Sequence, residues 1–417
     1  MSSVETDWAG THTFEAPVQR PGSVAELQEL VAGAPAVRAL GTRHTFNGLA
    51  DGPGVLVDLT ALPDEVAVHD DGTVTVSAGT TYGALGRELH RQGRGLHNTG
   101  SLPHISVGGA VSTGTHGSGD GAGCLATAVR GLDVVAADGT LSRVAGEDLE
   151  ARAVALGAGG VVVRVVLQTE PTYLVRQDVY RGLSLTALVE DPAAVTGAGT
   201  SVSVFTRWDG VGDVWVKTRL AGSDPGTVPG TVLDAVLDPE SRDRITDEIV
   251  GNVTAQGGQP GPWHERLPHF RHDATPSNGD EVQSEFFVDR ADAGAAIAAV
   301  AAVGEQLRPH LVVSELRTIA ADRLWLSPAY GRDSLALHFT WRKTPEVGSV
   351  AVPLVEQVLA PFGARPHWGK AHGVRDLSGL VPRLADARAL LDGLDPSGVF
   401  SSTRLTRLGV RGSRYSS

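Results

Sequence analysis

Cysteine is almost absent from this chain. Of 417 residues only Cys124 is one, which excludes an internal disulfide and most multi-cysteine metal sites. Lysine is nearly as scarce: Lys217, Lys343 and Lys370 stand alone among 35 basic residues, the rest being arginine. No run of five or more basic residues occurs, and no apolar stretch approaches the ~18 residues of a membrane-spanning helix. The opening MSSVETDWAG lacks the zones of a signal peptide. A net charge of −13 offers little to nucleic acid or an anionic membrane, which both reward clustered Lys and Arg. The expectation is a soluble, cytoplasmic protein with neither as partner.

Familiar site signatures are missing too. No G-x-G-x-x-G opens a helix after a strand, and LGAGGVVV, which has the glycines, runs into a strand instead. There is no P-loop lysine, no G-x-S-x-G elbow and no H-E-x-x-H. His264, His269 and His272 in WHERLPHFRH suggest zinc at first sight, but prolines interrupt them and the nearby acids lack helical spacing, so no metal is expected.

What is present is ordinary in bulk: 41% hydrophobic and 20% charged residues, in a length that suits two or three cores. The first third alternates short β segments, AVRAL, GVLVDL and DGTVTVSAG, with helices that Ser23 and Thr81 cap. VRGLDVVAADG and GGVVVRVVLQTEP read as further strands. Residues 98–123 are glycine-dense, too much so for a regular element and too apolar for a linker. Residues 187–200 and 221–262 read as loop-rich, with SDPGTVPG and AQGGQPGPW as breakers. From about 201 to 345, SVSVFTRW, DVWVKTRL, EVQSEFFVD, LVVSELRTIA and SLALHFTWR alternate over long stretches beside one helix, ADAGAAIAAVAAVGEQL. That composition suits an antiparallel sheet with helices on one side. The tail LSGLVPRLADARALLDGLDPSG reads as helical.

Two features invite chemistry. The glycine belt SVGGAVSTGTHGSG lets peptide N–H groups approach one ligand without intervening Cβ atoms, which suits a pyrophosphate; a tightly packed loop is the simpler alternative. In LVVSELRTIA the period of two puts Val313, Glu315, Arg317 and Ile319 on one face, and in ALHFTWR it aligns His338, Thr340 and Arg342. By alternation alone the plainer reading is a solvent-facing sheet with a salt bridge.

Four motifs, LGTRHTFN, LHNTGSLPHISVGGAVSTGTHGSG, LGAGGVV and RPHWGK, together resemble the flavin-dependent oxidases of the vanillyl-alcohol oxidase type. Within them the chain is most similar to the alditol (xylitol) oxidases, with gulonolactone and arabinonolactone oxidases as cousins; GPWHERLPHF and LSPAYGRD share the likeness. The resemblance implies an α+β, two-domain fold: an FAD-binding domain over 1–175, completed by 373–417, and an antiparallel-sheet substrate (cap) domain over 176–372. It implies FAD joined covalently through His44. The family's FAD contacts fall on Ala39, Leu40, Gly41, Thr42, Arg43, Thr45, Ser101, Ser106, Gly109, Ala110, Val111, Ser112, His116, Val161 and His367. Its polyol contacts fall on Ser101, Glu315, Arg317, Thr340 and Lys370. The implied reaction is oxidation of a terminal hydroxymethyl of an alditol to the aldose, with O2 reduced to hydrogen peroxide; a sugar-1,4-lactone is the alternative substrate.

In that chemistry Arg317 and Lys370 are expected to stabilise developing negative charge, Lys370 or His338 to take the hydroxyl proton, and Glu315 to orient the hydroxyls. Gly100, beside Ser101, is expected to leave room for oxygen. A monomer that binds a small-molecule polyol and O2 completes the expectation.

Overall fold

Ser23 sets the first helix in place. Its hydroxyl accepts from the Glu26 N–H, the helix runs Val24–Gly33, and Leu27 and Val31 are buried. Those side chains pack on a parallel three-stranded sheet in the order Val18–Gln19, Val55–Asp58, Val37–Leu40. An antiparallel sheet follows in the order Val66–Val68, Thr73–Ser77, Val161–Gln168, Val129–Val135, Leu141–Ala145. The helix Tyr82–Arg91, capped by the Thr81 hydroxyl, buries Tyr82, Leu85 and Leu89 in the same core as Val74 and Val76. The structure is a computed structural model and describes residues 5–222, 226–240, 245, 251–274, 280–375 and 377–412.

The second half is built on a ten-stranded sheet. Its main path runs Thr231–Val232, Ala235–Asp238, Leu174–Ser184, Val211–Arg219, Ser201–Thr206, Leu311–Ile319, Ser334–Arg342, Glu281–Asp289, Arg365–Pro366, all antiparallel; Gly261–Pro262 pairs Leu174–Ser184 off this path. Alternation divides its two faces. Leu337, Phe339, Trp341, Val202, Val204 and Leu316 pack against the helices Leu185–Glu190, Ala293–Ala302 and Val352–Leu359. The other face carries Glu285, Glu315, Arg317, His338 and Thr340 towards the N-terminal half. The halves are stitched where the Gly119 N–H donates to Thr318 O at 2.9 Å and the Ser118 hydroxyl donates to Val202 O.

Several elements depart from the sequence reading. The strand Leu174–Ser184 went unassigned because it is buried along both faces and carries Arg176 and Asp178, paired at 2.7 Å, inside it. It crosses residues 175 and 176, so the domain boundary expected there falls inside a continuous strand of the large sheet. Residues 187–200 are not mainly loop: Leu185–Glu190 continues to Pro192–Thr196, with Ser184 and Asp191 as caps and Pro192 at the first turn. The alanine-rich helix ends at Ala302 and resumes as Gly304–Leu307, where a Cβ on Gly304 would lie 2.7 Å from Trp208. The glycine belt contains a one-turn-and-a-half helix, Val107–Ser112, and among the described residues the tail is helical only over Leu384–Leu394 and Thr403–Arg407. The breaker at Ser223–Pro225 and the first four residues of the chain lie outside the described residues. Among the described residues no helix is long and apolar enough to cross a membrane.

One buried cation ties the N-terminal half together. Arg38, 2% exposed, donates from Nη1 to Gly157 O and Phe400 O and from Nη2 to Leu49 O and Leu156 O, all within 3.0 Å. Burial lowers its pKa to about 10, which leaves it charged at neutral pH. Its partners come from three separate segments, so the guanidinium closes the C-terminal tail onto the first sheet. Arg38→Met is expected to destabilise the fold by about 3 kcal/mol or more, since orphaned buried carbonyls cost ~1–3 kcal/mol each. Urea unfolding of purified protein checks this, and a loss below ~1 kcal/mol refutes it.

Candidate active site

The two faces enclose an open cleft with about 1750 Å³ of space free of protein atoms, its mouth included. One wall is built from turns. After Val37–Leu40, the segment Gly41–Thr45 lines the cleft, and Arg43 adopts φ 61° there. Its side chain turns away to Glu5 and Asp58, each at 2.8 Å. A Cβ on Gly41 would fall 2.1 Å from Ser106 Oγ, so a side chain here would displace that hydroxyl from the turn. A Cβ on Gly108 would likewise lie 2.7 Å from Ala78.

His44 sits in this wall with a defined environment. Trp8 stacks on its ring at 5.3 Å and 21°, and Nδ1 lies 3.0 Å from Thr42 Oγ1. Nε2 is buried and has no protein partner. Burial, with a smaller contribution from His104, lowers its pKa to about 4, so the ring is neutral and nucleophilic at neutral pH. The N-terminal segment that carries Trp8 is held by the Trp8 N–H to Arg43 O and by Lys343, whose Nζ donates to Ala9 O.

Of the flavin contacts expected from sequence, Ala39 to Thr45, Ser101, Ser106, Gly109, Ala110, Ser112, His116 and His367 line the cleft. Val111 and Val161 do not; their side chains are packed in the two N-terminal cores, and Gly160 and Val162 take the lining position. Gly100 is also off the cleft, and a Cβ there would make ordinary contacts with Ile105 and Thr115. An orphaned, buried imidazole nitrogen in the wall of a glycine-lined cleft fits a flavin dinucleotide.

The opposite wall is an ion cluster set by strand register. Glu315 pairs with His338, and His338 pairs with Glu285, so the three lie in a row across adjacent strands. In the next row Arg317 faces Ala336, and the small alanine leaves room for Arg317 Nη2 to reach Glu285 Oε1 at 2.6 Å. Arg317 Nη1 also donates to Ser101 Oγ at 3.1 Å. The short strand Arg365–Pro366 pairs with Glu281–Asp289 and delivers the loop that carries Lys370. Lys370 Nζ lies 2.7 Å from Glu285 Oε2 and 2.7 Å from His338 Nδ1, while His338 Nε2 meets Thr340 Oγ1 at 3.1 Å.

Burial would push the Glu285 carboxyl up, but Lys370 and Arg317 outweigh it and hold it well below the usual carboxylate range. Burial lowers the Lys370 pKa, opposed by Glu285, and drives His338 well below the usual imidazole range. Burial opposes the charge on Arg317 too, but Glu315 and Glu285 keep it cationic.

Glu285 was missed in the sequence. Its signal was available: a carboxylate at the centre of EVQSEFFVD, one residue from Phe286 and on the opposite face. A second buried network was missed as well. His269 Nε2 lies 2.6 Å from Glu315 Oε1, and His269 Nδ1 lies 2.9 Å from Lys217 Nζ. The three histidines of WHERLPHFRH therefore diverge: His264 packs by His90 and His272 stacks on His104. Among the described residues no cluster of three or more His, Cys, Asp or Glu side chains could hold a metal ion.

Comparison with known proteins agrees with this geometry. Residues 16–145 match the FAD binding domain family, and residues 279–408 match the D-arabinono-1,4-lactone oxidase family. The chain is 44% identical to an alditol oxidase from a Streptomyces species over 98% of this chain and 99% of that protein. It is 30% identical to an L-gulono-1,4-lactone dehydrogenase from Mycobacterium tuberculosis, over 96% of this chain and 97% of that one. A crystal structure of cholesterol oxidase from B. sterolicum shares the fold, with a TM-score of 0.79 at 15% identity over 97% and 96% of the two chains. The chain therefore belongs to the FAD-dependent oxidases of the vanillyl-alcohol oxidase type, in the family that includes alditol oxidase.

Proposed function

We propose that this enzyme oxidises the terminal hydroxymethyl of an alditol such as xylitol or sorbitol to the aldose, as a cytoplasmic monomer with its FAD bonded to His44. The convergence of Glu315, Arg317, Thr340, Lys370 and Ser101 at one end of the cleft carries this reading. An uncharged polyol is held only by hydrogen bonds, and charged donors and acceptors make the strong ones.

FAD, when bound, supplies the two-electron oxidant that accepts hydride from the substrate carbon and passes the electrons to O2, giving hydrogen peroxide. The protein's task is to hold the substrate and move one proton. Lys370 suits that task better than His338, because both ring nitrogens of His338 are engaged, Nδ1 by Lys370 and Nε2 by Thr340. As a free amine, Lys370 directs its two N–H bonds to Glu285 and His338 Nδ1, which leaves the lone pair for the substrate hydroxyl. Once protonated it is stabilised by Glu285. Arg317, a fixed cation, stabilises the developing alkoxide. Glu285 keeps two cations in one dry site without mutual repulsion.

A sugar-1,4-lactone is the second reading, supported by the lactone oxidase match over residues 279–408. A peroxide assay on xylitol against gulono-1,4-lactone separates the two. Turnover on the lactone alone would overturn the alditol assignment.

Acid-denatured native protein is expected to keep its yellow colour in the pellet, whereas His44→Ala releases it to the supernatant; colour released from the native protein rules out the tether. Lys370→Met is expected to cut turnover ~10²–10⁴-fold with flavin still bound, measured as xylitol-dependent peroxide formation, and near-native turnover excludes Lys370 as the base. Because Lys370 acts as the neutral amine and burial lowers its pKa, turnover should rise with pH until that group is deprotonated and then level off.

A further inference from the structure

The second buried network lies behind the substrate wall, and the reaction as derived above does not use it. Lys217 is on the strand Val211–Arg219, 1% exposed. Its ammonium has three N–H bonds and three acceptors: Leu267 O, Pro268 O at 3.1 Å and His269 Nδ1 at 2.9 Å. With Nδ1 accepting from an ammonium, the proton of the neutral ring must lie on Nε2. Nε2 then donates to Glu315 Oε1 at 2.6 Å. Arg317 Nε approaches the same oxygen at 3.5 Å, and the hydrogen bonds found for Glu315 leave its other oxygen to the cleft.

The arrangement parallels the reacting end. There, too, a lysine meets Nδ1 of a buried histidine, and the histidine's Nε2 meets a side chain of the polyol wall. Two of the three lysines in the chain thus fix the tautomer of a histidine one step behind the substrate.

We propose that Lys217, acting through His269, is a positioning residue that holds Glu315 ionised and turned as an obligate acceptor for a substrate hydroxyl. This rests on the alditol reading above. A carboxylate fixed in that way rewards a hydroxyl donor and rejects an analogue that offers only acceptors, since the buried oxygen is then left unpaired. Burial lowers the Lys217 pKa to about 7, with Glu315 raising it and Arg317 lowering it. The charged or titratable groups facing its Nζ are His269, Glu315 and Arg317, while the neighbouring strands Ser201–Thr206 and Leu174–Ser184 present Ser201 and Gln177. The cation is the form that fixes the ring, so the positioning is present below about pH 7 and fades as pH rises through it.

The test is anaerobic bleaching of the holoenzyme's flavin by xylitol, read as a dissociation constant and a limiting rate. If xylitol fails to bleach the native enzyme, the alditol reading falls and this proposal with it. If the native enzyme is bleached, Lys217→Met is expected to raise the dissociation constant about tenfold or more, with the limiting rate changed far less. An unchanged constant, or a loss confined to the rate, overturns the proposal while leaving the alditol reading intact. Lys217→Met combined with His269→Phe should cost no more than the larger single effect, and additive losses would show that Lys217 does not act through His269. Should Lys217→Met fail to load flavin, the native enzyme decides: xylitol binding that weakens severalfold as pH rises through about 7 supports the proposal, and pH-independent binding overturns it.

Discussion

Glu285 is a fully buried carboxylate, and the need to compensate its charge organises the reactive end of the cleft. An isolated ion at that depth would take up a proton or unfold its surroundings. Arg317 and Lys370 meet its two oxygens at 2.6 and 2.7 Å, and His116 approaches from the glycine-rich wall at 3.3 Å. One side chain therefore binds together the large sheet, the loop after its last strand and the glycine-rich segment. The two cations of the cleft are held still by the same contacts that make their burial tolerable.

Strand register then decides which groups meet. Glu315, His338 and Glu285 are neighbours only because three antiparallel strands align them in one row. A shift of one residue on any strand would turn its ionic residues into the helix-covered core. That core, with Trp341 and Phe339 stacked at 5.0 Å, fixes the register by burying large aromatics on the opposite face.

Much of this was legible in the sequence. The strands of the ion cluster alternate cleanly, so the shared faces of Glu315 with Arg317 and of His338 with Thr340 followed from a period of two. His44 came into view through the motif LGTRHTFN, and what the motif could not show is that the fold buries its ring beside Trp8. What alternation could not supply was pairing between distant segments: Lys370 reaches Glu285 across 85 residues, and Lys217 reaches His269 across 52. Leu174–Ser184 escaped for a related reason, since a strand buried on both sides with an internal Arg–Asp pair shows no amphipathic rhythm. Val111 and Val161 were assigned to the flavin by motif position, but the side chain of each belongs to the core behind the wall.

The scarcity of lysine has a practical corollary. Lys217 is sealed within the protein and Lys370 opens only onto the cleft, with 14% of its side chain exposed. Lys343 is the one lysine at the surface, and it braces the segment whose Trp8 covers His44. Coupling through lysine side chains, whether to a dye or a resin, would therefore converge on that brace and disturb the segment that packs on His44.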